Sequence, residues 1–349
     1  MPEEPISLAR RHLRDGAVVP RTRWLGAALG LCALVLCSGV AMSVELQGHR
    51  GARGLWPENT LAGFEQALRI GVNVLELDVG LSKDDVPIVT HDPQLSADIA
   101  RDASGQWLSG PGPILRHTSV AKLSTYDVGR LRPGSRYAKR FPEQRTVDGQ
   151  RMPRLSEVFE LVGRLGASHV RFNIEMKLKP GPSALYADPD TFARAVLGAI
   201  DAADMRARVS VQSFDWRALD AVRKLAPNTH LVALTAEQSW LDNLARQQPG
   251  PSPWTAGRDL DDVGGSVPQL VALFGAATWS PYWRDIDRTA VAEAQELGLK
   301  VVVWTVNEES DIRRVLDLGV DGIISDFPGR VRQVFTERGL ALPPTVVVK

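Results

Sequence analysis

Cysteine is almost missing from this chain, and the little there is stays in one place. The 349 residues hold two, Cys32 and Cys37, both in an apolar segment near the N-terminus. Everything beyond residue 37 is therefore without disulfides or thiolate metal sites. Net charge is missing as well, since 41 lysines and arginines meet 41 aspartates and glutamates. A balanced chain lacks the basic surface of a general nucleic-acid binder, so no nucleic acid is expected as a partner. No glycine-rich dinucleotide loop follows the first strand-like run, which disfavours a doubly wound sheet. There is no internal repeat and no low-complexity tract.

Targeting information is concentrated at the start. Arg10, Arg11, Arg14, Arg21 and Arg23 precede an uncharged stretch from Trp24 to Val44. A basic flank, an apolar core and Gly39-Val40-Ala41 as a small-x-small cleavage site form a secretory leader. Residues 1–43 are read as a signal peptide or membrane anchor. The arginines stay on the cytoplasmic side, and the rest is exported to the periplasm or the exterior. Cleavage after Ala41 is favoured because the first strand begins a few residues later. The apolar stretch is also long enough to span a bilayer. Membrane contact through an uncleaved leader is therefore the alternative.

Residues 44–340 suit one large domain, and an α/β barrel needs about 250 residues. Strand-like runs end near Gln47, Leu77, Ile174, Val211, Leu234, Thr278, Val303 and Ile324. Helical patterns follow most of them. From Thr60 to Ile70, Leu61, Phe64 and Leu68 share one face, and Gly71 stops the helix. Stretches 289–297 and 310–318 have the same helix-then-glycine form. Eight strands alternating with helices predict a TIM (β/α)8 barrel. Two features interrupt the alternation. Residues 79–91 read as a hairpin turning at Lys83-Asp84-Asp85, which returns His91 to Asp78. Residues 93–153 are too long for an ordinary loop and are read as an insertion over the barrel mouth.

Charged residues sit where the pattern is otherwise apolar. In Asn73-Val-Leu-Glu-Leu-Asp-Val79, Glu76 and Asp78 are alternate strand positions and face the same way. Glu175 and Lys177 repeat the arrangement in Phe172-Asn-Ile-Glu-Met-Lys177. Carboxylates in buried strands are costly unless paired or metal-bound. Oxygen ligands without cysteine favour one Ca²⁺ or Mg²⁺ over zinc. A structural salt-bridge network with Lys177 is the plainer alternative. His49-Arg50-Gly51 ends the first strand, where a barrel holds its active site. His49 and His91 then face each other as general acid and base. Arg50 offers a planar fork for a phosphate or a carboxylate, or alternatively a bridge to Glu76 or Glu45. Asn59 or Thr60 caps the first helix, whose free N–H groups add to an anion site. For Trp304, an aromatic wall of the site and barrel packing are both open. Asp326 is read as a helix cap, in preference to a supporting role behind the site residues. For Trp279 and Trp283, pocket lining and packing both stay open.

The ordered set His49-Arg-Gly51, Pro57-Glu-Asn-Thr60, Glu76-Leu-Asp78, His91-Asp92, Asn173-Ile-Glu-Met-Lys177, Ser213-Phe214 and Trp304-Thr-Val-Asn307 resembles the glycerophosphodiester phosphodiesterases. The resemblance runs from about Gln47 to Pro328. It implies a TIM barrel that cleaves small glycerophosphodiesters to glycerol 3-phosphate and an alcohol. It also implies Glu76, Asp78 and Glu175 as metal ligands, His49 and His91 as catalytic histidines, and Arg50 and Lys177 as phosphate contacts. Attack by the neighbouring glycerol hydroxyl, through a cyclic phosphate, and direct attack by water are both open. A lysophospholipase D or other phospholipase-type phosphodiesterase acting on membrane lipid is the alternative activity. A non-enzymatic phosphodiester-binding protein is a further one.

Overall fold

In the computed structural model, which describes residues 44–181 and 183–347, the chain opens with β1 (Glu45–Gly48), α1 (Leu61–Ile70) and β2 (Val74–Leu81). The expected leader, residues 1–43, lies outside the described residues. The chain then turns back through a short strand, β3 (Pro87–Val89). The long segment that follows carries two short helices, α2 (Val120–Leu123) and α3 (Arg136–Arg140), before α4 (Leu155–Arg164). Strand and helix alternate from there through β4 (Arg171–Met176), α5 (Pro189–Ala202), β5 (Val209–Ser213), α6 (Trp216–Leu225) and β6 (His230–Thr235). A small hairpin, β7 (Glu237–Gln238) and β8 (Leu241–Asp242), precedes α7 (Val267–Phe274). The last units are β9 (Thr278–Pro281), α8 (Arg288–Glu296), β10 (Lys300–Val303), α9 (Glu309–Leu318), β11 (Gly322–Ser325) and α10 (Pro328–Glu337).

Eight of these strands are parallel neighbours in chain order: β1, β2, β4, β5, β6, β9, β10 and β11. β1 pairs with β2 on one side and β11 on the other, so the ring closes into a TIM barrel. Six expected strand ends fall at or near the ends of these strands, while the expected end at Leu77 lies inside β2, which runs on to Leu81. The eighth, Thr278, opens β9 instead of closing it. Ser280 and Pro281 look like a break in sequence. Yet Ser280 is buried and donates to the Val302 carbonyl at 2.7 Å. Pro281 takes the last strand position, where its missing N–H is tolerated. The first strand stops at Gly48, so His49 and Arg50 stand in the turn beyond it.

The helices close over the strands with one apolar face each. α1 buries Phe64, Ala67 and Leu68, and Thr60 caps it by accepting the Gly63 N–H at 3.0 Å. Gly71, at φ 94°, ends it in a conformation that a side chain strains. Full burial of a side chain such as Phe64 contributes about 1.5–3 kcal/mol.

Inside the barrel the residues are partly polar. Asn173 donates to Gln47 at 3.0 Å and to Gln212 at 2.8 Å, and Gln212 donates to Glu76 at 2.8 Å. Each buried amide thus has a partner, and the series ends on a carboxylate. The hairpin forms as expected, with Val79, Gly80 and Leu81 paired to Val89, Ile88 and Pro87. The segment 93–153 packs on its own small core, which includes Ile88, Leu95, Leu115, Leu123, Tyr126 and Met152. Ile99, Arg136, Tyr137 and Arg140 from this segment line the cleft at the barrel mouth.

Candidate active site

Strand register assembles the carboxylates. Glu76 and Asp78 are alternate residues of β2, and Asp78 lies opposite Glu175 of β4. One ligand oxygen from each of the three lies within 4.8 Å of the others, and all three are buried. Asn59 fixes Asp78, donating to Oδ2 at 2.9 Å and accepting the Asp78 N–H at 3.3 Å. The Arg50 N–H and the Gln212 amide hold the two oxygens of Glu76 at 2.9 and 2.8 Å.

Burial, with the Asp78 and Glu175 charges beside it, pushes the Glu76 carboxyl well above its usual range. Burial also pushes Glu175 up to about 7, although Lys177 opposes it. Asp78 is buried too, but Arg50 and Lys177 outweigh that and hold it well below the usual range. Asp78 Oδ1 is buried and accepts no hydrogen bond among the described residues. Three converging hard oxygens, mutual repulsion and an unused lone pair fit a divalent cation.

The histidines stand in the turns beyond two strands. His49 follows β1, where Arg50 (φ 50°) and Gly51 (φ 89°) carry the backbone through the left-handed region. Asp326, directly after β11, sits 2.6 Å from His49 Nδ1. Ionised Asp326 only accepts, so the proton sits on Nδ1 and Nε2 is left with its lone pair. Nε2 lies 3.9 Å from Glu76 Oε2. Arg53 grips Asp326 at 2.8 and 3.3 Å. Burial first and the Arg53 charge second lower the His49 pKa to about 4, against the pull of Asp326. Burial alone would raise the Asp326 carboxyl, but Arg53 and His49 hold it well below the usual range. His91 returns on the hairpin, with Thr90 N–H bonded to the Asp78 carbonyl at 3.0 Å. Its Nδ1 is 2.7 Å from Asp92. Burial, then Arg50 and Lys177, lower its pKa.

The cations flank the carboxylates. Arg50 donates to Glu58 at 2.9 Å and places Nε 3.0 Å from Asp78 Oδ2. Lys177 Nζ is 2.7 Å from Glu175 and 3.6 Å from Asp78. All of this faces a cleft of about 920 Å³, within the usual size for a small-molecule site. Trp304 lines the same cleft, meets Phe214 edge-on at 5.2 Å, and donates its indole N–H to the Ser280 carbonyl at 3.0 Å.

All eight expected site residues therefore gather at one end of the barrel. Several local expectations do not hold. Asp326 is not the cap of α10, whose N-cap is Phe327; its carboxylate is taken by His49, Arg53 and Asn307. The first-turn amides of α1 are not free for an anion, because Gln150 and Thr60 accept from Ala62 and Gly63. Of the two cap candidates, Thr60 caps, and Asn59 turns to Asp78 instead. The Arg50 side chain pairs with Glu58 and Asp78, not with Glu45 or Glu76. Trp279 and Trp283 are buried in the main core and pack. Tyr137, on α3, was not anticipated: it donates to Glu58, the partner of Arg50. One of two tyrosines in an arginine-rich insertion, it gives no signal of its own in sequence.

The class that this barrel and its cleft define is the phosphoric diester hydrolases. The chain belongs to the glycerophosphoryl diester phosphodiesterase family, whose model matches residues 49–330. A glycerophosphodiester phosphodiesterase of Caldanaerobacter subterraneus is 28% identical over 287 residues, covering 82% of this chain and 96% of that one. A solved structure from Silicibacter pomeroyi, bearing the same family name, is 37% identical with a TM-score of 0.76. It covers 86% of this chain and 95% of its own. A phosphodiesterase of Oleispira antarctica, solved in complex with the product sn-glycerol-3-phosphate, shares the fold at 22% identity and a TM-score of 0.60. It covers 84% of this chain and 97% of its own.

Proposed function

We propose that this chain hydrolyses glycerophosphodiesters to glycerol 3-phosphate and an alcohol, with Ca²⁺ or Mg²⁺ held by Glu76, Asp78 and Glu175. The observation that carries the reading is the meeting of these carboxylates with two imidazoles whose Nδ1 atoms are tied to Asp326 and Asp92. When bound, the cation would polarise a phosphate oxygen and neutralise its charge. Arg50 and Lys177 hold the remaining phosphate oxygens and Trp304 walls the substrate. His49, neutral and with Nε2 free, takes the proton from the attacking oxygen, whether a glycerol hydroxyl or water. His91, the more open of the two, acts in its imidazolium form: Asp92, which favours that charge, keeps the Nδ1 proton, and Nε2 gives its proton to the departing alcohol oxygen as the P–O bond breaks. The basic, apolar leader supports placing this activity outside the cytoplasm.

The acid and base roles are separated by leaving group. A p-nitrophenyl ester needs no acid, because p-nitrophenolate leaves unprotonated. His49→Ala should lose about 10²- to 10⁴-fold in turnover on every substrate. His91→Ala should lose a similar factor on a choline ester and little on the p-nitrophenyl ester. Equal losses on both esters for His91→Ala would reverse or remove its assignment as the acid.

A further inference from the structure

The mouth of the barrel is divided in two. Asp326, His49, Arg50, Glu76, Asp78, Glu175 and Lys177 all come from β11, β1, β2 and β4 or the turns after them, which are neighbours in the ring. The other four strands, β5, β6, β9 and β10, are also neighbours, and each is followed by an aromatic residue. Phe214 comes directly after β5, Tyr282 after β9 and Trp304 after β10, while Trp240 caps the hairpin beyond β6. The rings touch edge to face, except Trp304 and Tyr282, which are tilted at 58°. Trp304 is 5.2 Å from Phe214, 5.5 Å from Tyr282 and 6.0 Å from Trp240, and Trp240 is 5.3 Å from Tyr282. All four line the cleft, and no charged residue between 212 and 305 does.

We propose that this wall is the subsite for the leaving alcohol, and that the alcohol it selects carries a quaternary ammonium, as in a choline ester. The inference rests on the phosphodiesterase reading of the charged half. Lys177 Nζ lies 5.9 Å from the Phe214 ring, so the wall begins one ring away from the phosphate position. A cation two carbons beyond the ester oxygen reaches the ring faces, which attract it through their quadrupoles. Other headgroups fit this half of the cleft poorly. A polyol needs several hydrogen-bond partners, and the four rings offer few: the Trp304 indole N–H is already given to Ser280, which leaves only the Tyr282 hydroxyl and the Trp240 indole N–H. An anionic headgroup meets the negative faces of the rings with no lysine or arginine from these strands to offset them. A quaternary ammonium needs no hydrogen bond at all. Trp240 lines the cleft and is 58% exposed, so part of its ring is open to a ligand.

The test uses the full chain with its divalent ion and three substrates: glycerophosphocholine, glycerophosphoglycerol, and the neohexyl ester in which carbon replaces the quaternary nitrogen. The expected result is a kcat/KM for the choline ester about tenfold above the other two. In Trp240→Leu, and independently in Tyr282→Leu, the ratio of choline to neohexyl ester should fall towards one. A neohexyl ester as good as the choline ester would overturn the inference, because the wall would then be an apolar slot. Ratios unchanged in both variants would overturn it as well. Equal hydrolysis of all three substrates would sink the inference while leaving the phosphodiesterase reading intact. Hydrolysis of none would sink both.

Discussion

Replacing Asp326 by asparagine keeps the shape and removes one acceptor, and the structure gives the consequence. Four donor hydrogens converge on this carboxylate. His49 Nδ1 and Arg53 Nε reach Oδ1 at 2.6 and 2.8 Å, and Arg53 Nη2 and Asn307 Nδ2 reach Oδ2 at 3.3 and 2.8 Å. An amide offers one oxygen and one NH₂, so in either orientation it turns a donor towards two donors. If the NH₂ faces His49, the imidazole must accept at Nδ1, the proton moves to Nε2, and the lone pair facing the cleft is lost. If it faces Asn307, two buried donors lose their acceptor, at about 1–3 kcal/mol for each unsatisfied group. In both cases Arg53 loses its buried counter-charge, and breaking such a pair typically costs about 3–5 kcal/mol. A domain of ordinary stability, about 5–15 kcal/mol, survives that loss. Asp326→Asn is therefore expected to remain folded, with a lower urea midpoint and a turnover reduced about 10²- to 10⁴-fold. Initial rates on glycerophosphocholine, measured alongside urea unfolding, report both. Near-wild-type turnover with an unchanged midpoint would show that Asp326 neither orients His49 nor balances Arg53.

Three further outcomes are expected. Exhaustive chelation should abolish turnover and added Ca²⁺ or Mg²⁺ restore it, while Glu175→Gln should demand a higher ion concentration for half-maximal rate. Full activity of the chelated enzyme would reject the metal-dependent reading. His230 is exposed as a residue at the start of β6, but its ring is partly enclosed against Thr278, and this enclosure first and Lys300 second lower its pKa. The fold therefore disfavours its charged form, so its stabilising contribution is complete above about 6.5 and is lost as the pH falls below that value. The urea midpoint should decline on acidification, less steeply in His230→Gln, and parallel curves would refute the assignment. Fractionation and N-terminal sequencing should find the chain outside the cytoplasm, beginning after Ala41. A soluble, full-length cytoplasmic product would contradict export, and a membrane-bound full-length one would contradict only the cleavage.

The barrel was readable because most of the parallel strands are short runs whose apolar residues are buried on both faces, and because helices such as α1, α7 and α9 stop at a glycine. Glu76, Asp78, Glu175 and Lys177 stood out because charge interrupts such runs. His91 was placed because a hairpin is a local structure whose register follows from its turn. What escaped depends on distant pairing. Asp326 meets His49 only through the register that sets Gly48 beside Ser325. Viewed locally, an aspartate just before Pro328 resembles a cap. Asn59 had two uses open to it, capping α1 or binding Asp78, and spacing alone does not rank them. Trp240 lies in a polar loop, and its neighbours Tyr282 and Trp304 come from later strands.

The link between His49 and Asp326 spans 277 positions of sequence and joins the first strand of the barrel to the last. Proton transfer is thus tied to topological completion. A chain ending before β11 can assemble the carboxylates, Lys177 and the aromatic wall, yet its His49 has no partner to fix the tautomer. Contacts of such long range form late when folding is limited by chain topology. On the proposed assignment the enzyme would turn over slowly until the ring shuts, and a rise in turnover during refolding would mark the moment at which the first and last strands meet.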